Sequence, residues 1–178
     1  PKSISVSPID GSIFIAGVQA GYAATGILDN EGNGINAQQY VYCYNEPHHL
    51  CGGELFDSSF LADGSIVAAG NATFTNAQQL GSQGMLIYLD AEYLGINRIA
   101  RFDGGMQNAA GDYIRKLTLT SDNSLLLAAQ LYIDDHQHAS VIKVSSITGC
   151  TNDESCNHNE YADYDDGSCW QTQDSCTC

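Results

Sequence analysis

The chain has 178 residues, of which 43% are apolar and only 6 are lysine or arginine, against 21 aspartates and glutamates. This composition is typical of a folded protein, and the length fits one ordinary core with a small appendage. The formal net charge of -15 argues against a nucleic-acid partner, and no apolar run is long enough to insert into a membrane.

A repeated unit runs along the first three quarters of the chain. It begins as two apolar, alternating runs joined by a polar turn, which predicts a β-hairpin. These hairpins span residues 4–17, 55–70 and 114–130, with Asp10, Asp63 and Asp122 in their turns. A further strand-like run follows each hairpin at residues 24–29, 84–90 and 139–144. A fourth run, at 37–43 and 95–102, follows in the first two units only.

Four short antiparallel strands per unit, at a spacing of about 50 residues, are what a propeller blade requires. We therefore predict an all-β protein in which residues 1–149 form three propeller-blade-like four-stranded repeats, with a β-sandwich as the alternative. The second strand of each hairpin, here called the middle strand of its repeat, is almost continuously apolar, which predicts burial on both faces. Three blades are fewer than the four to eight of a closed ring, so either the chain is a fragment of a longer protein, or its open edges pair with other copies, or the sheets form the sandwich. Exposed edges need cover or pairing, so the shortfall predicts an intermolecular contact.

The order Asp-Gly-Ser, apolar run, Gly at residues 10–17 and 63–70 resembles the blades of secreted bacterial β-propeller proteins. Residues 150–178 are predicted to form a separate acidic, disulfide-rich and loop-dominated module.

The cysteines indicate an oxidising compartment, because small modules without a core of their own are stapled by disulfides there. Five of the seven lie in the C-terminal module, at Cys150, Cys156, Cys169, Cys176 and Cys178. Cys43 and Cys51 flank a short loop and are predicted to pair with each other. An odd cysteine then remains in the module, and it is free, joined to another chain or paired outside this segment. Cys176 and Cys178 are the candidates, because they are too close in sequence to bridge each other easily.

Residues 149–169 carry a specific motif, with Gly-Cys-Thr at 149–151, Cys-Asn at 156–157 and Asp-Asp-Gly-Ser-Cys at 165–169. The motif resembles a short repeat found near the C-termini of large secreted proteins of Bacteroidetes-type bacteria. The resemblance implies secretion and display at the cell surface.

Two kinds of modification or ligand site are candidates. Asp163, Asp165 and Asp166 precede a turn glycine, a partial EF-hand pattern that offers oxygen ligands for calcium; the alternative is a solvated acidic turn. Asn71 begins an Asn-Ala-Thr sequence, the acceptor pattern for N-glycosylation.

The sequence contains no Gly-x-Ser-x-Gly, His-Glu-x-x-His, P-loop or Gly-x-Gly-x-x-Gly motif, and nothing singles out a catalytic pair of carboxylates, so we predict that the chain is not an enzyme. The leading hypothesis is an extracellular structural or adhesive protein that self-associates into a homo-oligomer or polymer such as a surface fibre. A first alternative is a monomeric propeller that binds glycans or surface proteins. Tyr40, Tyr42 and Tyr44 alternate along one run and fit either sugar stacking or cross-strand packing. A second alternative is a non-catalytic part of a secreted hydrolase.

Overall fold

The computed structural model describes residues 1–40, 52–76, 79–92, 94–102, 111–134, 136–145, 148–150, 152–158, 164–165 and 168–170. Within these residues the chain forms three antiparallel sheets and no helix. The all-β fold predicted from the alternating pattern is therefore confirmed.

The sheets follow one another along the chain, and consecutive strands are neighbours in each of them. Sheet A contains β1 (Ser3–Val6), β2 (Ile13–Gln19), β3 (Tyr22–Leu28) and β4 (Gly34–Gln39). Sheet B contains β5 (Gly53–Phe60), β6 (Ile66–Asn76), β7 (Gln79–Leu89) and β8 (Ile96–Phe102). Sheet C contains β9 (Tyr113–Leu119), β10 (Leu125–Ile133) and β11 (His136–Val144). Each repeat is therefore a meander. The first two have the predicted four strands, whereas the third has three among the described residues, in line with the missing fourth run in its sequence.

The hairpin turn between the first two strands of each sheet has the same construction. Its tip is a residue with positive φ, namely Gly11 at 77°, Gly64 at 88° and Asn123 at 57°. Glycine and asparagine are the residues that adopt this left-handed conformation most readily. The preceding aspartate accepts a hydrogen bond from the backbone amide of a serine two residues later: Ser12 to Asp10, Ser65 to Asp63 and Ser124 to Asp122. The Asp-x-Ser pattern thus closes the turn in all three repeats.

Sheet B lies between the other two sheets. One of its faces packs on sheet A, in a core that includes Phe14, Ile66 and Met85. Its other face packs on sheet C, in a second core that includes Val67, Leu86 and Leu127. The first strand of each later sheet lies across the first three strands of the preceding one, β5 on β1, β2 and β3, and β9 on β5, β6 and β7. The sheets therefore form three blade-like layers, which is one layer more than a sandwich has.

Two details differ from the sequence-based expectation. The fourth strand of sheet A begins at Gly34 instead of residue 37, because Asp29 accepts hydrogen bonds from the Glu31 and Asn33 amides and closes the turn early. Residues 41–43 of the predicted run lie outside the described residues. Among the described residues of the three middle strands, only those of β6 are buried on both faces, since within the described chain sheets A and C each pack against another sheet on one side only.

Asp57 on β5 joins all three sheets. One carboxylate oxygen accepts a hydrogen bond from the Ser3 hydroxyl of sheet A at 3.1 Å, and the other accepts one from the Leu117 amide of sheet C at 3.0 Å. The Lys116 ammonium group lies 3.6 Å from the first oxygen. This carboxylate therefore ties together the inner strands of the three layers.

We expect Asp57→Ala to lower the free energy of unfolding by roughly 1–3 kcal/mol, because the Leu117 amide loses its acceptor in a largely buried site. Asp57→Asn keeps one carbonyl acceptor and should cost less. Lys116→Ala removes only the exposed ion pair, worth under about 1 kcal/mol. Urea denaturation of the three variants measures these differences, and an unchanged midpoint for Asp57→Ala would show that the junction does not stabilise the fold.

Candidate functional site

The outer face of sheet A is a continuous apolar surface. It consists of Ile4 and Val6 on β1, Ile13 and Ile15 on β2, and Leu28 on β3. Ile4 lies opposite Ile15, Val6 opposite Ile13, and Ile13 opposite Leu28, so the five side chains share one face. Ile4 is 66% exposed and Val6 is 62% exposed. Large apolar residues side by side on a solvent-facing sheet are typical of interaction surfaces.

The outer face of sheet C lies at the other end of the stack. It consists of Lys116 on β9, Leu126 and Ala128 on β10, and Val141 and Lys143 on β11. Ala128 lies between Lys116 and Val141, and Leu126 lies opposite Lys143. Leu126 is 38% exposed and Val141 is 79% exposed. The Lys143 ammonium group binds the Asp122 carboxylate at 2.7 Å, and the Lys116 ammonium group lies 3.6 Å from the Asp57 carboxylate. This face is therefore apolar in its middle and carries paired charges at its sides.

A cleft of about 530 Å³ opens between sheets A and B, beside their hairpin turns. Its wall combines four carboxyl groups with apolar side chains: Asp10, Asp63, Asp90 and Glu92 with Ile9, Ile35 and Phe60. The carboxyl groups of the turns are held locally, since the Ser7 and Ser12 hydroxyls keep the pKa of Asp10 below its usual value. Asp90 accepts a hydrogen bond from the Gly95 amide at 2.8 Å. The cleft thus presents negative charge next to apolar surface.

Tyr40 is packed in the core between sheets A and B. Its side chain is 3% exposed, and its hydroxyl donates to the Leu94 carbonyl at 3.1 Å and lies 3.0 Å from the Thr25 hydroxyl. This residue therefore serves packing, whereas Tyr42 and Tyr44 lie outside the described residues. Burial raises the pKa of Tyr40 to about 12; the Asp90 carboxylate adds to the shift and the Thr25 hydrogen bond opposes it.

The raised pKa of Tyr40 predicts a loss of stability in alkali. The pKa of Tyr40 is higher in the folded chain than its value near 10 in the unfolded chain. The stability that the neutral Tyr40 hydroxyl contributes is therefore complete below pH 10 and is lost as the pH rises towards 12. A difference of about two in pKa between the folded and unfolded chain corresponds to roughly 2–3 kcal/mol in the free energy of unfolding. We expect Tyr40→Phe to be less stable than the wild type at pH 7 and to lose less stability between pH 9 and 12. Equal pH dependence in both proteins would contradict this assignment.

The candidate calcium ligands remain a prediction. Asp165 is described only through its backbone, which pairs with Gly149 in the short parallel ladder of β12 (Thr148–Gly149) and β13 (Tyr164–Asp165). Asp163 and Asp166 lie outside the described residues. In the part of the chain that the structure describes, no three His, Cys, Asp or Glu side chains are grouped closely enough to hold a metal ion.

The described part of the C-terminal module contains a disulfide between Cys150 and Cys169. Cys156 is disulfide-bonded as well. Cys43, Cys51, Cys176 and Cys178 lie outside the described residues, so the predicted pair and the odd cysteine remain predictions. The Asn157 side chain donates to the Ser168 carbonyl at 2.8 Å and accepts from the Trp170 amide at 3.1 Å. This amide holds the segment around Cys169 in place, which gives the Cys-Asn part of the motif a structural role.

Asn71 lies within β6 and is 9% exposed. Its Nδ2 atom, to which an N-linked glycan would attach, donates a hydrogen bond to the Ser82 hydroxyl at 2.7 Å. Glycosylation at this position therefore stays a prediction, and the folded sheet disfavours it because the acceptor amide is enclosed.

The two outer faces were not identified from the sequence. The alternating pattern shows that Ile4, Val6, Ile13 and Ile15 share a face, but it does not show whether another sheet covers that face. The sequence does contain a signal for these faces, because the middle strands of all three repeats are apolar on both sides. Among the described residues the first and third sheets each pack against one other sheet, so one apolar side of each is left uncovered.

The fold and these surfaces define the chain as an all-β protein of repeated, stacked antiparallel sheets. No protein-family model matches the sequence, and no curated protein matches it either. No helix among the described residues is long and apolar enough to cross a membrane.

Proposed function

We propose that this chain is an extracellular structural or adhesive module that acts by self-association, forming a homo-oligomer or a polymer such as a surface fibre. The observation that carries the proposal is the outer face of sheet A. It exposes Ile4 and Val6 beside Ile13, Ile15 and Leu28. Burying these side chains against another surface would remove apolar area from water at a gain of roughly 25 cal/mol per Å².

The extracellular location is supported by the cysteines. The disulfide between Cys150 and Cys169 is of the kind that persists in oxidising compartments. The resemblance of residues 149–169 to a repeat of secreted bacterial proteins supports surface display. The proposal assigns no catalytic reaction to the chain.

A binding module for glycans or surface proteins is the second candidate, and the cleft between sheets A and B favours it. The Asp63 and Glu92 carboxylates are able to accept hydrogen bonds from the hydroxyl groups of a glycan, and Ile9, Ile35 and Phe60 offer apolar contact. In this reading the chain binds its ligand as a monomer, and the apolar face of sheet A plays no part in function.

The two candidates differ in the size of the protein in solution. Sedimentation velocity over a wide range of concentration, with and without reductant, should show species larger than the monomer that increase with concentration. The larger species should persist in reductant, because an apolar face associates without covalent bonds. A single monomer at every concentration would exclude self-association and leave the binding module as the better candidate.

A further inference from the structure

The middle strands β2, β6 and β10 correspond residue by residue when counted from the serine that ends each turn. The first and third residues after this serine point to one side of the sheet, here called the odd face, and the second and fourth point to the even face. The odd positions are Ile13 and Ile15, Ile66 and Ala68, and Leu125 and Leu127. The even positions are Phe14 and Ala16, Val67 and Ala69, and Leu126 and Ala128.

Both interfaces inside the chain join the same two kinds of face. The even face of sheet A packs on the odd face of sheet B, with Phe14 and Ala16 in one core with Ile66 and Ala68. The even face of sheet B packs on the odd face of sheet C in the same way, with Val67 and Ala69 in one core with Leu125 and Leu127. The stack therefore repeats a single type of contact in a single direction.

The faces left open are the two halves of one more such contact. The outer face of sheet A is an odd face, and the outer face of sheet C is an even face. The second position shows the difference clearly: Phe14 and Val67 are fully buried, whereas the corresponding Leu126 is 38% exposed. On the first strands, Phe60 and Leu119 are buried or partly buried in the cores, whereas the corresponding Val6 is 62% exposed. Both end sheets keep apolar residues on the faces that no other sheet covers among the described residues.

We infer that the outer face of sheet C of one copy packs on the outer face of sheet A of a second copy, continuing the contact that already joins sheets A, B and C. This inference rests on the proposed self-association and specifies its geometry as head to tail. In this contact Leu126 of one copy packs against Val6 of the next, as Phe14 packs edge-on against Phe60 within the chain, with ring centres 6.4 Å apart.

The distribution of charge favours a second copy as the occupant. The chain carries 21 acidic residues, so most of its surface repels another copy. None of the five residues that define each outer face is acidic, and Lys116 and Lys143 at the sides of the outer face of sheet C each lie beside a carboxylate that balances their charge. These two faces are thus the surfaces on which copies of an acidic chain approach each other without repulsion between carboxylates.

Head-to-tail contacts produce a ring if the rotation from one copy to the next brings the last copy back to the first, and a filament if it does not. Two copies supply six sheets, which falls within the four to eight of closed propellers. A ring of two copies and an open filament both use the contact between the outer face of sheet C and the outer face of sheet A. A test of that contact is therefore independent of the final size of the assembly.

Two variants test the geometry, Val6→Asp on sheet A and Leu126→Asp on sheet C. Each places an unpaired carboxylate in one half of the contact and should weaken association on the order of a hundredfold. Each variant should therefore sediment as a monomer when it is alone. An equimolar mixture should form a one-to-one dimer that grows no further, because Val6→Asp keeps an intact sheet C face and Leu126→Asp keeps an intact sheet A face.

Ile96→Asp is the matched control, because Ile96 is 37% exposed, like Leu126, but lies on β8, the edge strand of sheet B, outside both outer faces and the cleft. It should associate like the wild type. Circular dichroism checks that each variant is folded, and Val6→Ser with Leu126→Ser replaces the aspartate pair if folding is lost.

The outcomes separate the two proposals. A monomeric wild type would overturn the proposed self-association and the head-to-tail contact together. If the wild type assembles but the mixture of the two variants stays monomeric, only the head-to-tail contact is overturned. The same holds if Leu126→Asp assembles normally by itself, and that result would indicate pairing between two sheet A faces.

Discussion

Replacing Phe14 by alanine is expected to lower the free energy of unfolding by roughly 3–5 kcal/mol. The Phe14 side chain is fully buried between sheets A and B, and it meets the Phe60 ring edge-on with ring centres 6.4 Å apart. Its loss removes a large apolar side chain and leaves a cavity between two sheets whose backbones cannot close it. Since whole domains are stable by about 5–15 kcal/mol, this single change would remove a large part of the total.

Leu126→Ala is the matched control, because Leu126 occupies the corresponding position in sheet C. It lies on an outer face and is 38% exposed, so its replacement should cost under about 1 kcal/mol in the monomer. Urea denaturation at a concentration where the chain is monomeric measures both values, with an unchanged m-value expected for each. Equal losses for the two variants would contradict the different burial of the two positions.

Gly70→Ala is expected to destabilise the fold by roughly 2–4 kcal/mol, although alanine adds only one methyl group. A Cβ atom at Gly70 would clash with the Glu54 carbonyl oxygen and would lie 2.9 Å from the Leu55 Cα atom, both in the backbone of β5. The strands are this close because β5 has a bulge between Leu55 and Asp57. The backbone of β5 has to shift, and the contacts that β5 makes with sheet A would shift with it.

Gly26→Ala provides the comparison for this substitution. Gly26 lies inside β3, and a Cβ atom there would meet only the Asn36 carbonyl oxygen at 3.7 Å, an ordinary van der Waals distance. Alanine reduces the entropy of the unfolded chain, so Gly26→Ala should be neutral or stabilising by up to about 1 kcal/mol. If Gly70→Ala proved as stable as Gly26→Ala under the same denaturation conditions, the close approach of β5 and β6 would be refuted.

The sequence predicted the repeats well, because hairpin turns depend on local chemistry. Asp63, Gly64 and Ser65 specify a turn among themselves, through one positive φ and one carboxylate that binds a nearby amide. Four strands were predicted for every repeat, and sheets A and B have them, whereas sheet C has three among the described residues because its sequence lacks a fourth strand-like run after residue 144. Details that depend on loop closure were less accurate, as the early start of β4 at Gly34 shows.

The candidate site was harder to predict, since chemical type says little about exposure. Asn71 has the right neighbours for a glycosylation site, yet β6 is the central strand of the middle sheet and its amide is bonded to Ser82. Asp57 looked like an ordinary strand residue, and only the approach of the inner strands from sheets A and C made it a junction.

By itself, the sequence determined the secondary structure of the repeats, the pairing of neighbouring strands, and the sets of residues that share a face of each sheet. These properties follow from a side-chain period of two and from turns built by adjacent residues. Only the tertiary structure decided which of those faces is covered. Val6, Phe60 and Leu119 occupy corresponding positions, but burial depends on the number of neighbouring sheets, and sheet A has none on its outer side within the described chain.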